Sequence, residues 1–535
     1  MLLGFLFSVT LQLSNNNSVF SCLAFQPCLI SRRPKGIGSN VRQGQAISKL
    51  KATSVIDNGS DHMKISTIDN VERIFAISDL HTDNVSNLEW LKELCLLHNT
   101  NQSIGPNDVI IVAGDISHEL SKLEETFSIM KENLNCHIFF VWGNHEAWIG
   151  GQELDSLGVV SSLQKIKLVK SLCESMGVHT ECSLVGASID NPVFIVPIES
   201  WYDATLTLDE CEDLCSSFDK WRWVDFMRCV WPDAEKLLVE SSKISNNGTT
   251  TGLRKKLHLN NTGKIPIGLT EILANENNKS IKQVQEIYCN WIEEGNLIPN
   301  GINSDDLNSP PGLITFSHFL PNKKTLPDWK DPTSDTFRRD EWLDHPVPDI
   351  SAKFAKVAGS VLIDEQIREI IPREYVSDRT SMSASKAALK SVQHLHVFGH
   401  SHRPKDFVFD NIRYIHNPLG KPEEREMNMV SKEVGFQLIW DCRNRSSVHE
   451  HSLSDEFSAG DNIRISSVGK HCGTFGGEVP GTQVIRYWEE QGGGKKVLAR
   501  KMKHRKQRRR LEMKRFVRDL ELTKQVKTPE SKDRS

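Results

Sequence analysis

Five times in this chain an apolar run stops abruptly at aspartate, asparagine or histidine. The runs occupy 74–81, 109–115, 139–146, 313–318 and 396–402. Each reads as a buried strand that delivers polar side chains to the edge of a sheet. The sharpest is Phe139-Phe140-Val141-Trp142-Gly143-Asn144-His145-Glu146, where a glycine ends the strand and three polar residues follow. Taken alone, any one ending reads as a helix cap, a loop acid or a hydrogen-bonded histidine. Repetition in a fixed order narrows the fold. Between the first runs lie helical patterns, one over 87–98 with Leu88, Leu91, Leu94 and Cys95 on one face, another over 121–133. Strand, helix, strand, helix, strand calls for a parallel-type α/β sheet with its site at the carboxyl ends of the strands.

Further along, 157–176 has helical periodicity and 194–198 reads as a strand. Residues 204–232, rich in acids, Cys and Trp, read as helical. From 241 to 310 the composition turns to Asn, Gly, Ser and Thr, which suits an insertion peripheral to the core, with a helix over 281–294 inside it. A helix is expected over 361–371, a strand over 395–398, a hairpin pairing 406–410 with 412–416 across Asp410-Asn411, and a last strand over 436–440.

The polar residues collected at the strand ends are Asp79, His81, Asp115, Asn144, His145, His318, His400 and His402. Asp79 and His81 are two apart, as are His400 and His402, so each pair leaves the same face of extended chain and reaches a common point. Gly114, Gly143 and Gly399 precede their polar residues and let the backbone turn sharply. The set mixes imidazoles, carboxylates and an amide oxygen, without thiolate, which disfavours structural zinc. The twelve cysteines form no regular framework, and Cys211 and Cys215 have no second pair at matching spacing. A polar set this large is too big for one tetrahedral ion and suits two. Two carboxylates against two divalent ions leave the site net positive, fit for a phosphate and a hydroxide. That is the arrangement of two-metal hydrolysis, with ions about 3.5–4 Å apart.

Asp79-Leu80-His81, Gly114-Asp115, Gly143-Asn144-His145-Glu146, His318 and Gly399-His400-Ser401-His402 resemble, in order, the five motifs of the calcineurin-like metallophosphoesterases. The resemblance spans about 71–440. Within it, Ser200-Trp201-Tyr202, Cys229-Val230-Trp231-Pro232 and residues 397–425 are similar to a plant and algal subgroup that is often plastid-addressed. The resemblance implies a four-layer α-β-β-α sandwich with a dinuclear metal site at the strand ends. It implies that Asp79, His81 and His402 bind one ion, that Asp115 bridges, and that Asn144, His318 and His400 bind the other. His145 would stand beside the phosphate, and Glu146 would orient His145 or a neighbouring ligand. The ions would be Mn, Fe, Zn or Mg, and the substrate a phosphate ester, with monoester, diester, nucleotide and protein substrates all open. Asp83, His118, His394, His396 and His416 lie near these motifs and match none, so they are assigned to hydrogen bonding and packing. Trp148, Trp201 and Tyr202 are assigned to packing, with lining of the substrate site as their second use.

The ends of the chain differ from its middle. The first 56 residues hold no Asp or Glu and six Lys or Arg, with an apolar stretch over 2–13. That composition suits a targeting presequence: a plastid address, bipartite or simple, with mitochondrial or secretory targeting as alternatives. The expected order is presequence 1–56, linker 57–70, phosphoesterase domain 71–441, low-complexity linker 442–494, basic helical tail 495–520 and a disordered end 521–535. From Lys495 to Arg518 the chain carries thirteen Lys or Arg, a candidate contact for nucleic acid. No apolar run reaches the length of a transmembrane helix. Two other function classes compete with a phosphoesterase. One is a scaffold that keeps the fold without turnover; the other is a nucleic-acid-associated enzyme anchored by the basic tail.

Overall fold

The computed structural model describes residues 65–443, apart from 151–157, 188–190, 217, 222, 232–264, 267, 295–309, 328–347, 372–391, 427–429 and 431–433. The presequence and basic tail expected from the sequence, with most of the Asn-rich insertion, lie outside the described residues. Among the described residues no helix is long and apolar enough to cross a membrane.

The strands in chain order are β1 (Ser66–Ile68), β2 (Arg73–Ile77), β3 (Asp108–Ala113), β4 (His137–Val141), β5 (Ser183–Val185), β6 (Val193–Pro197), β7 (Gly312–Phe316), β8 (His394–Val397), β9 (Lys405–Phe409), β10 (Ile412–His416) and β11 (Gln437–Asp441). They form two sheets, ordered β11-β2-β3-β4 and β1-β5-β6-β7-β8-β10-β9. Strands β2, β3 and β4 run parallel, as do β6, β7, β8 and β10. The antiparallel pairs β11–β2 and β10–β9 lie at sheet edges, and β5–β6 joins the short β1–β5 pair to the larger sheet. The expected parallel sheet is therefore two mixed sheets, each with a parallel centre.

Alternation along the strands explains the layers. Ile74, Ala76, Val109, Ile111 and Phe139 pack with Ile195, Ile314, Phe316, Leu395 and Val397 into a core between the sheets. Their neighbours Phe75, Ile77, Ile110, Val112 and Phe140 belong to a second core with Leu91, Leu94, Leu123, Phe127 and Met130 of the helices. Central strands are buried on both faces and so read as unbroken apolar runs. The result is the four-layer α-β-β-α arrangement, which fits the metallophosphoesterase fold.

Helices α1 (Val85–Asn101) and α2 (Leu120–Leu134) connect β2, β3 and β4, and α1 starts at Asn84, whose side chain accepts from Ser86 N at 3.1 Å. The helix expected over 157–176 is Ser162–Ser175, and the one over 361–371 is Val361–Glu369. The hairpin turns over Asp410 and Asn411, with φ of 49° and 61°, as a two-residue turn with both central residues left-handed requires.

Two expectations are corrected. The segment 204–232 is helical only in short pieces, 3-10 at Asp209–Cys215 and Phe218–Lys220 and one α-turn at Asp225–Arg228, with Leu208, Cys211, Cys215 and Phe218 at helical spacing buried in the core. Composition places all of 241–310 outside the core, yet Leu269–Glu294 is one 26-residue helix. Its Leu269, Leu273, Val284 and Tyr288 are buried in the core, and the Tyr288 hydroxyl donates to Pro311 O at 3.0 Å. A stripe at helical spacing was hidden by the polar average around it.

Candidate metal centre

The site forms where the parallel strands of both sheets end. Strand β2 continues into Asp79 and His81, β3 into Gly114 and Asp115, and β4 into Gly143 and the short helix Asn144–Ala147. From the other sheet, β7 delivers His318 and β8 delivers His400 and His402. Asp79, His81, Asp115, His400 and His402 all have positive φ, between 45° and 71°. Non-glycine residues avoid this region at a cost of order 1–3 kcal/mol each, so the surrounding bonds must hold them.

Those bonds are in place. Asp79 N donates to Gly114 O at 3.1 Å and His81 N to Asp115 O at 2.9 Å. Asp79 Oδ1 accepts from His400 N at 2.9 Å, and Asp115 Oδ1 accepts from His145 N at 2.9 Å. Fully buried Glu146 accepts from the backbone N–H groups of Asp115, Ile116, Ser117 and Gly143, at 2.7–3.1 Å. It clamps the Asp115 loop to the end of β4. Gly143 has no substitute here: a Cβ would collide with Asp115 Oδ1 and come within 2.8 Å of Asp115 N.

All eight residues singled out in the sequence converge. The ligating atoms of Asp79, His81, Asp115 and His402 lie within 4.8 Å of one another, as do those of Asp115, His318 and His400. Asn144 Oδ1 stands 3.1 Å from His318 Nε2 and 3.0 Å from His400 Nδ1. His145 Nε2 is 3.7 Å from Asp115 Oδ2, and its ring meets that of His81 at 4.5 Å.

The proton positions of the rings fix what the donor set can hold. His318 Nδ1 faces Ala113 O at 3.0 Å and His400 Nε2 faces Val357 O at 2.9 Å. A carbonyl accepts only, so each ring carries its proton there. That leaves His318 Nε2 and His400 Nδ1 as lone pairs, 3.2 Å apart, aimed at each other beside the Asn144 amide oxygen. His318 Nε2 also lies 3.3 Å from Asp115 Oδ1. The two ring lone pairs and the Asn144 oxygen meet as three acceptors, which repels unless a cation sits between them. Burial pushes His318 down to about 4 and holds His81 and His400 below the usual histidine value, so their lone pairs stay free. Burial, Glu146 and Asp79 push Asp115 up, a penalty that a nearby positive charge would relieve. These residues fit divalent ions.

Outer residues fix the rings, and these were not legible as site residues. Glu424 accepts from His402 Nδ1 at 2.7 Å, leaving His402 Nε2 at 2.8 Å from His81 Nε2 and 3.4 Å from Asp79 Oδ1. Burial pulls His402 down, but Glu424 and Asp79 outweigh it and raise the ring to about 9. His416, set aside in the sequence, is buried with Nε2 3.1 Å from Asp79 Oδ2. Asp83, also set aside, joins His81 and His145 in a third group within 4.8 Å. Trp148 stacks on His145 with centroids 3.7 Å apart, whereas Trp201 and Tyr202 are fully buried in packing. Asp225 accepts from Asn144 Nδ2 at 3.0 Å. The signal for these residues was at most a fixed distance past a motif; nothing in a lone acid announces a partner far away in sequence.

Residues 72–237 match the family model described as calcineurin-like phosphoesterase. In sequence, 132 residues are 28% identical to the [acyl-carrier-protein] phosphodiesterase PptH of Mycobacterium tuberculosis, over 24% of this chain and 37% of that protein. The chain thus spans little more than a third of that curated relative. The crystal structure of that bacterium's phosphopantetheinyl hydrolase PptH aligns with 15% identity and a TM-score of 0.39, covering 69% of this chain and 96% of that one. A protein of unknown function from Aquifex aeolicus, AQ665, aligns with 18% identity and a TM-score of 0.14, over 25% of this chain and 62% of that one. Over residues 72–237 the chain is thus similar to the calcineurin-like phosphoesterases.

Proposed function

We propose that this chain hydrolyses phosphate esters with two divalent ions. Asp79, His81 and His402 would hold one ion, Asn144, His318 and His400 the other, and Asp115 both. The observation that carries this is the meeting of His318 Nε2, His400 Nδ1 and Asn144 Oδ1 at 3.0–3.2 Å with no proton available between them. When bound, such ions polarise phosphoryl oxygens and make hydroxide available as a nucleophile at neutral pH. The protein's own part is positioning. Asp79 and Asp115 supply the negative charge, and Glu146 keeps the Asp115 loop in register. His145 is the group left for the leaving oxygen. Burial and His81 hold it below the usual histidine value, so it acts first as a neutral hydrogen-bond donor in the transition state. Its stacking on Trp148 fixes the ring plane.

The relative's name makes a diester the first substrate to try. The test is a panel on full-length protein, stripped with chelator and reloaded with Mn, Fe, Zn or Mg, using bis(p-nitrophenyl) phosphate and p-nitrophenyl phosphate. Metal-dependent release of p-nitrophenol is expected. Tight binding of two ions without turnover of either ester would favour the scaffold class instead. The acid-free first 56 residues support a plastid address. Plastid import of a fluorescent fusion carrying them tests that part, and a uniformly cytosolic signal would refute it.

A further inference from the structure

Asp225 belongs to none of the motifs and lies at the start of the one-turn helix Asp225–Arg228. It is only 2% exposed. Its Oδ1 accepts from Asn144 Nδ2 at 3.0 Å and from Trp148 Nε1 at 2.7 Å, and its Oδ2 accepts from Trp223 Nε1 at 2.7 Å. An indole nitrogen can only donate, so both oxygens of Asp225 are committed as acceptors. Each of these three donors borders the metal centre, and the Tyr202 side chain also hydrogen-bonds to Asp225. Asn144 presents its other amide atom to His318 and His400, Trp148 stacks on His145, and Trp223 meets His400 edge-on with centroids 6.2 Å apart.

The two ends of an amide have nearly the same shape and opposite use. If the NH2 end of Asn144 faced His318 and His400, it would satisfy their lone pairs and repel a cation. If the oxygen faces them, it adds a third donor atom for an ion. Shape cannot choose between the two; an acceptor behind the amide can. Asp225 is that acceptor, placed so that only the NH2 end can turn toward it.

We propose that Asp225 is the positioning residue of this centre: one buried carboxylate that orients the Asn144 amide oxygen into the second half-site and holds Trp148 against His145. The inference rests on the proposed dinuclear reading. It extends that reading to a residue outside every motif, in a segment otherwise made of short turns.

The experiment titrates Mn²⁺ into chelator-stripped full-length protein and counts bound ions by EPR. Four forms are compared: wild type, Asn144→Ala, Asp225→Leu and the double variant. Wild type is expected to bind two ions. Asp225→Leu should weaken the second ion about 10–100-fold, as loss of an outer partner of a metal ligand does, and leave the first unchanged. In the Asn144→Ala background the same change should add less than about twofold, because its effect runs through that amide. A lowered kcat with KM unchanged for bis(p-nitrophenyl) phosphate should accompany it. Wild-type affinity for the second ion in Asp225→Leu, or losses that simply add in the double variant, would overturn the proposal. If the leucine variant is not recovered folded by near-UV circular dichroism, Asp225→Asn decides alone. It keeps the shape and one acceptor, a several-fold loss is expected, and wild-type affinity overturns the inference. Failure of the dinuclear reading looks different: wild type itself would bind fewer than two ions, and the inference would fall with it.

Discussion

The two halves of the centre each join two histidines to one side-chain oxygen, from Asp79 in one and Asn144 in the other, and are held in opposite ways. Around Asp79, His81 and His402 the outer partners are titratable: Glu424 behind His402 and His416 behind Asp79. Around Asn144, His318 and His400 they are mostly backbone carbonyls, Ala113 O and Val357 O, with Asp225 behind the amide. The consequence shows in two imidazoles. Burial lowers both, but Glu424 and Asp79 lift His402 to about 9, whereas His318 stays near 4 against the pull of Asp79. The proposed ligands of the first half include a carboxylate of their own, Asp79, whereas those of the second, Asn144, His318 and His400, are neutral. An ion should therefore be held firmly in the first and exchangeably in the second, with Asp115 the ligand they would share.

That contrast can be broken at its shared point. Asp115→Asn should cost both halves and lower turnover about 10³-fold, the size expected when several kcal/mol of charge stabilisation is lost. Steady-state rates on the aryl diester read it. His145→Ala should lower kcat about 10²–10⁴-fold while both ions remain bound, and metal analysis of the same sample separates the two cases. Gly143→Ala pushes a methyl into Asp115 Oδ1. A loss of about 10²-fold in kcat is expected from a displacement of roughly an ångström.

The contrast can also be sharpened. Glu424→Gln should weaken the first ion about 10–100-fold and spare the second, the mirror of Asp225→Leu; Mn²⁺ titration distinguishes them. The smallest effect lies away from the centre. Burial pushes His394 and His396, side by side on β8, down to about 3. Both are neutral when folded, while the unfolded chain takes up protons below about pH 6.5. Stability they contribute is therefore complete above 6.5 and lost as pH falls toward 3, by at most about 1.4 kcal/mol per pH unit per histidine. Urea midpoints at pH 7 and pH 5 should differ less in the double Gln variant than in wild type.

The same contrast explains what was legible in the sequence. The inner residues follow buried strands, and a strand buried on both faces is an apolar run that ends where the sheet ends. Asp79, Asp115, Asn144 and His400 were visible because the physics that buries β2, β3, β4 and β8 also places their ends together. The two-sheet arrangement was implied by resemblance alone, since β1 and β5, three residues each, leave no periodic trace. Asp225 and Glu424 were not visible. Their partners lie 81 and 22 residues away, and a lone acid looks the same whether it caps a turn or holds a ligand. The helix Leu269–Glu294 was missed in part for a different reason, a polar average that concealed one apolar face.

The most direct test follows turnover and ion binding together. Mn²⁺ is added stepwise to chelator-stripped full-length protein while hydrolysis of bis(p-nitrophenyl) phosphate is recorded. Two unequal binding steps are predicted, with hydrolysis appearing as the second, weaker step fills. Full activity at one ion per chain, or two ions bound with no hydrolysis under any of the four metals, would contradict a dinuclear phosphoesterase.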